Sequence, residues 1–101
     1  MNHGLSENEF NFLMSEVVQP LKKMSARVFL FGSRATGQFK KFSDVDLTYL
    51  QNEDQKIPNS EIVRIITAAE NSRFSYKIDL VNYDELASSY KANIDREKIE
   101  L

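Results

Sequence analysis

The feature that most restricts this chain is a pair of acidic side chains two residues apart at the mouth of an apolar run. Asp44-Val45-Asp46-Leu47 opens the stretch Val45 to Leu50, which has the alternation of a strand. Successive strand side chains point to opposite faces, so Asp44 and Asp46 fall on one face and Val45, Leu47 and Tyr49 on the other. Carboxylates that close repel, and one is driven toward its protonated form unless a cation lies between them. Hard cations such as Mg²⁺ favour one or two carboxylates together with phosphate oxygens and water. Taken alone, Asp44 reads equally as a loop or helix-capping residue. Upstream, Val28-Phe29-Leu30-Phe31 reads as a buried strand running into Gly32-Ser33. Glycine there adopts backbone angles other residues avoid and lets a phosphate approach the chain. Ser33 adds a hydroxyl donor, and a helix beginning near it adds free N–H groups.

A third carboxylate sits in another short β-prone run, Tyr76-Lys77-Ile78-Asp79-Leu80-Val81. Lys77, Asp79 and Val81 share one face, Tyr76, Ile78 and Leu80 the other. An aspartate inside an apolar strand is costly to bury unless paired or bound to metal. A salt bridge to a nearby basic residue is the plain reading of Asp79 alone. Beside Asp44 and Asp46, a metal-facing role is the better one.

The remaining residues are consistent with one α/β (α+β) domain over residues 1–101, a mixed sheet flanked by helices. Helix, strand, short helix, strand, helix, strand and helix follow in order. With 101 residues, of which 42% are hydrophobic and 28% charged, there is room for a single core. Ser6 caps the first helix with Glu9 completing a capping box, and Phe10, Leu13, Met14, Val17 and Val18 form its buried stripe. Pro20 is expected to kink or end that helix, leaving Leu21 to Met24 as a last turn. Gln51 to Asn59 is a polar loop, after which Ser60 caps a helix burying Ile62, Ile65, Ile66 and Ala69. The absence of cysteine excludes disulfides, thiol catalysis and thiolate zinc sites. The lone histidine, His3, reads as a disordered terminal residue and excludes a histidine triad. A net charge of −2 provides no basic footprint for nucleic acid. No membrane-spanning run or signal-peptide pattern is present, so the expected location is cytoplasmic.

Gly32-Ser33-Arg34-Ala35-Thr36-Gly37, then Ser43-Asp44-Val45-Asp46-Leu47, then Ile78-Asp79-Leu80 resembles the minimal nucleotidyltransferases of the DNA polymerase beta superfamily. The ending Ile94 to Leu101 is similar to their final helix. The resemblance implies a polymerase-beta-like fold and transfer of AMP from ATP. Asp44, Asp46 and Asp79 are then the catalytic residues and hold two Mg²⁺, while Gly32 and Ser33 bind the β and γ phosphates. Arg34 is either a phosphate contact or a structural salt-bridge residue. Lys40 and Lys41 either face the same mouth or are solvated loop charges, and Lys77 either touches phosphate or neutralises the cluster.

Larger superfamily members carry a further domain for the acceptor, and about twenty residues after Asp79 leave no room for one here. The acceptor is therefore expected on another polypeptide, in a hetero-oligomer. The resemblance implies a small all-helical partner of the HEPN or substrate-binding type, with a tyrosine of a HEPN toxin as target and the chain as antitoxin. Two alternatives stand beside it: nucleotidylation of a small molecule presented by the partner, and neutralisation of a toxin by binding alone.

Overall fold

Three β-prone runs and the chain terminus assemble into one mixed sheet, in a computed structural model that describes residues 2–101. The strands are β1 (Arg27–Phe31), β2 (Val45–Leu50), β3 (Ile78–Asn82) and β4 (Ile99–Glu100), in spatial order β3-β2-β1-β4. β1 pairs antiparallel with β2 and β4, and β2 pairs parallel with β3. The β2–β3 connection crosses over through α4 (Asn59–Glu70), as a parallel pair requires.

One face of the sheet carries the main core. Val28 and Leu30 of β1, Val45, Leu47 and Tyr49 of β2 and Ile78 of β3 are buried against Leu13, Val17, Val18 and Leu21 of the first helical segment and Ile62, Ile65 and Ala69 of α4. The other face presents Phe29 and Phe31 together with Asp46, Thr48 and Asp79, because those residues alternate with the core residues along each strand. α5 (Ser88–Glu97) lies over part of this second face, where Ile94 is buried and Tyr90 meets Phe31 edge-on at 6.4 Å. The buried Thr48 hydroxyl donates to the Val81 carbonyl at 3.0 Å, so its polarity is satisfied between β2 and β3.

The Ser6 capping box forms as expected: Glu9 N–H donates to Ser6 Oγ and Ser6 N–H to Glu9 Oε1. At Pro20 the helix does not end but changes its form. The helix continues through it as α1 (Glu7–Leu13), a π-helical turn (Met14–Val18) and α2 (Gln19–Lys23). Gln19 N–H reaches back five residues to the Met14 carbonyl. The wide turn absorbs the missing Pro20 donor and its ring, leaving proline in the first turn of α2, where it is tolerated. Ser60 is not a cap either: α4 begins at Asn59 after Pro58, whose extended backbone opens the helix without a side-chain bond. The C-terminal expectation also changes. Helix α5 ends at Glu97, and Ile99–Glu100 turn back as an edge strand on Phe29–Leu30. Among the described residues, no helix is long and apolar enough to cross a membrane.

Candidate active site

β1 delivers its last residue, Phe31, to a turn that only glycine makes easily. Gly32 has φ 76° and ψ −156°, and α3 (Ser33–Thr36) starts directly after it. The Gly32 carbonyl accepts from the Ala35 and Thr36 N–H groups at 3.1 and 3.2 Å. The amides of Ser33 and Arg34 open this short helix and have no carbonyl within it to bind. Facing the glycine is Asp46, directly across the ladder from Phe31. A Cβ added at Gly32 would lie 2.5 Å from Asp46 Oδ2. Gly32→Ala is therefore expected to displace the Asp46 carboxylate, losing stability by roughly 1–3 kcal/mol through the left-handed φ alone. Denaturant unfolding of the variant measures it; an unchanged midpoint would contradict the close packing of these two residues.

The parallel pairing of β2 with β3 sets Asp46 opposite Asp79. Asp44 lies just ahead of β2, exposed, and close enough to act on Asp46 through space. Burial pushes the Asp46 carboxyl above the ordinary aspartate range, and the charges of Asp79, Asp44 and Glu97 push the same way, with Arg34 opposing. Of the three aspartates, Asp46 and Asp79 lie opposite each other, with Asp46 against Gly32, and Asp44 is exposed just ahead of β2. Lys77 Nζ stands 3.6 Å from Asp79 Oδ1, both side chains being well exposed, so Lys77 neutralises part of the cluster. Among the described residues, no three acidic, histidine or cysteine side chains converge into a metal cage. The donor set still fits a hard divalent cation. Such ions keep several waters and take one or two carboxylates with substrate phosphate. A cation there would relieve the repulsion that Asp79 and Asp44 exert on Asp46.

Arg34 is placed differently from either sequence reading. Its side chain is 2% exposed, and its guanidinium donates to the Ser43 carbonyl (Nε 3.1 Å, Nη2 2.7 Å) and the His3 carbonyl (Nη1 2.9 Å). Its planar head also lies over the rings of Tyr76 and Phe39, at 4.5 and 5.4 Å. All three nitrogens are committed inside the protein, so a contact with phosphate gives way to a positional role. Arg34 ties the loop before Asp44 to the N-terminal segment, and His3 is correspondingly held rather than free. Lys40 and Lys41 stay exposed in the loop, where the Lys40 N–H donates to Ser43 Oγ at 2.8 Å.

The sequence leads to a final helix at Ile94 to Leu101, whereas α5 begins earlier, at Ser88, and its part in lining the site was not foreseen. Phe31, Gly32, Asp46, Tyr90, Asn93, Ile94, Arg96 and Glu97 line a cavity of about 360 Å³. Glu97 Oε1 accepts the Gly32 N–H at 3.0 Å. The spacing of Tyr90, Asn93, Ile94 and Glu97 is that of one helical face, a signal readable only once residues 88–97 are known to be a helix.

A glycine–serine turn opposite paired carboxylates, on a mixed sheet with helices, is a frame that fits phosphate and a divalent cation. The family model "Polymerase beta, Nucleotidyltransferase" matches residues 15–101, and the chain belongs to that family. No curated protein matches it by sequence. Two among the solved structures that share the fold are toxin–antitoxin proteins. One is a toxin–antitoxin with AMP-PNP, at 17% identity and a TM-score of 0.65, covering 84% of this chain and 68% of that one. The other is the toxin–antitoxin MntA-HpeT carrying a tyrosine-to-alanine mutation, at 19% identity and a TM-score of 0.62, covering 96% and 72%.

Proposed function

We propose that the chain transfers AMP from ATP, with Mg²⁺, to an acceptor carried by a separate helical partner. The observation that carries this is the pairing of Asp46 with Asp79 beside Gly32, which supports a phosphate turn and metal-holding carboxylates in one mouth. Ser33 holds the β and γ phosphates through its hydroxyl and amide, with Gly32 supplying the turn. Asp44, Asp46 and Asp79 hold the metal, two ions in the full site. Bound there, Mg²⁺ supplies Lewis-acid stabilisation of the leaving pyrophosphate and lowers the pKa of the attacking hydroxyl. The acceptor oxygen forms a bond to the α-phosphorus as the bond from that phosphorus to the bridging oxygen breaks, releasing pyrophosphate. Asp79, on the more open strand, stands nearest the acceptor and takes its proton.

The acceptor we propose is a tyrosine of a HEPN-type toxin, with this chain as its antitoxin. Support comes from the two fold neighbours, both toxin–antitoxin proteins and one of them with a nucleotide analogue. The cavity under α5, at about 360 Å³, favours a second reading in which a small molecule is the acceptor. Incubation with α-labelled ATP, Mg²⁺ and a HEPN-type helical protein as candidate partner separates the two. Label is expected on the partner protein, and Asp44→Asn is expected to reduce it by about 10²-fold or more. Label on a small molecule with an unmodified partner selects the second reading, and transfer undiminished in Asp44→Asn would sink the role given to Asp44.

A further inference from the structure

We propose that Glu97 is a positioning residue of the nucleotide site, holding the Gly32 peptide in the orientation that turns the following amide and hydroxyl toward phosphate. This rests on the nucleotide-binding reading above.

Gly32 is clamped from both sides. Its carbonyl is held by the Ala35 and Thr36 amides, and its own N–H is held by Glu97 Oε1 at 3.0 Å. A φ of 76° with ψ −156° belongs to a region populated essentially by glycine alone, and such a conformation persists where its surroundings over-determine it. Glu97 is the one side-chain acceptor recorded for that amide among the described residues, and it reaches it across 65 positions of sequence.

The position is a poor one for a carboxylate on its own account. Glu97 is the last residue of α5, where the helix dipole disfavours negative charge. It acts unfavourably on Asp46 and makes no ion pair among the described residues. Both basic neighbours are engaged elsewhere, Lys98 with Asp95 and Arg96 with Asn93. Helix stability and surface pairing therefore give no account of it, whereas the Gly32 hydrogen bond does. The platform is firm as well: Lys98 N–H closes α5 on the Ile94 carbonyl, and the chain then pairs with β1 and donates from Leu101 N–H to the Val28 carbonyl at 2.9 Å. Glu97 is thus fixed to the same strand that leads into Gly32.

Two conservative variants separate geometry from charge. Glu97→Gln keeps the carbonyl reach and loses the charge; Glu97→Asp keeps the charge and is one methylene too short. Titration of each full chain with AMP-PNP and Mg²⁺, alongside hydrogen exchange of the Gly32 amide and a thermal melt, gives the readout. Glu97→Gln is expected to bind within about threefold of the native chain with Gly32 still protected. Glu97→Asp is expected to bind about tenfold more weakly with Gly32 exchanging faster, the loss of one charge-assisted bond. Tighter binding by Glu97→Gln would mean that Glu97 competes with phosphate, and overturns the proposal. So would unchanged binding by Glu97→Asp, or a Gly32 amide unprotected in the native chain. A native chain that binds no AMP-PNP takes down the nucleotide-binding reading and this inference with it, whereas the other failures remove the inference alone.

Discussion

Asp46→Asn is expected to abolish nucleotidyl transfer and to leave a more stable protein. The activity loss follows from removing the carboxylate that faces Gly32 on one side and Asp79 on the other. Loss of several kcal/mol of charge stabilisation in the transition state corresponds to a fall of roughly 10³-fold. The stability gain follows from the raised pKa of Asp46, whose charged form suffers from burial and from Asp79 and Asp44. An acid with a raised folded-state pKa favours folding fully below its unfolded value, and that contribution is lost as pH rises through the folded value. At neutral pH the native chain therefore carries the penalty and the asparagine variant does not. The gain is at most about 1 kcal/mol, because water screens a half-exposed carboxylate. It should shrink toward about pH 3, where the aspartate is protonated in both states. Thermal melts without metal at neutral and acidic pH, with transfer assays at neutral pH, test both halves. An Asp46→Asn variant that melts below the native chain at neutral pH would show that Asp46 is held by favourable contacts instead. Adding Mg²⁺ should narrow the stability gap, since the cation relieves the same repulsion.

Arg34→Ala is expected to cost roughly 3–4 kcal/mol of folding stability, a fall of more than about 12 °C in a domain of this size. The Ser43 and His3 carbonyls lose their donors inside the protein, and a cavity opens between Tyr76 and Phe39. Arg34→Lys should recover little of this, since an ammonium cannot reproduce the planar fork that serves two carbonyls while lying against two rings. The charge of Arg34 also lowers the pKa of Asp46, so the alanine variant should raise it further. Urea unfolding monitored through tyrosine fluorescence measures the cost. A loss under about 1 kcal/mol would return Arg34 to the status of a surface residue.

The strands that carry Asp46 and Asp79 were readable because their information is local. The alternation in Val45 to Leu50 put Val45, Leu47 and Tyr49 in the core and Asp46 on the other face, and the Ser6–Glu9 capping box is complete within four residues. Asp79 joins them because the parallel register sets it across the ladder from Asp46, while Lys77 at 3.6 Å offsets its charge. The elements misread are those whose local signal is weak or misleading. Proline is a helix breaker by propensity, yet the helix runs on through Pro20 after a π-helical turn that closes at Gln19. Ile99–Glu100 follow a helix so closely that nothing but the pairing with Phe29–Leu30 marks them as strand.

Gly32-Ser33, Asp44, Asp46 and Asp79, and the family they point to, are written in short stretches of residue types whose chemistry is the same wherever the chain goes. The roles of Arg34 and Glu97 are not written that way. Each depends on groups brought from far along the chain: the His3 carbonyl thirty-one positions away for one, the Gly32 amide sixty-five away for the other. A charged side chain reads as a surface group until folding decides which backbone donors and acceptors surround it. Burial among carbonyls turned Arg34 from a phosphate contact into a brace, and the packing of α5 on β1 turned an unremarked C-terminal glutamate into the neighbour of the glycine turn.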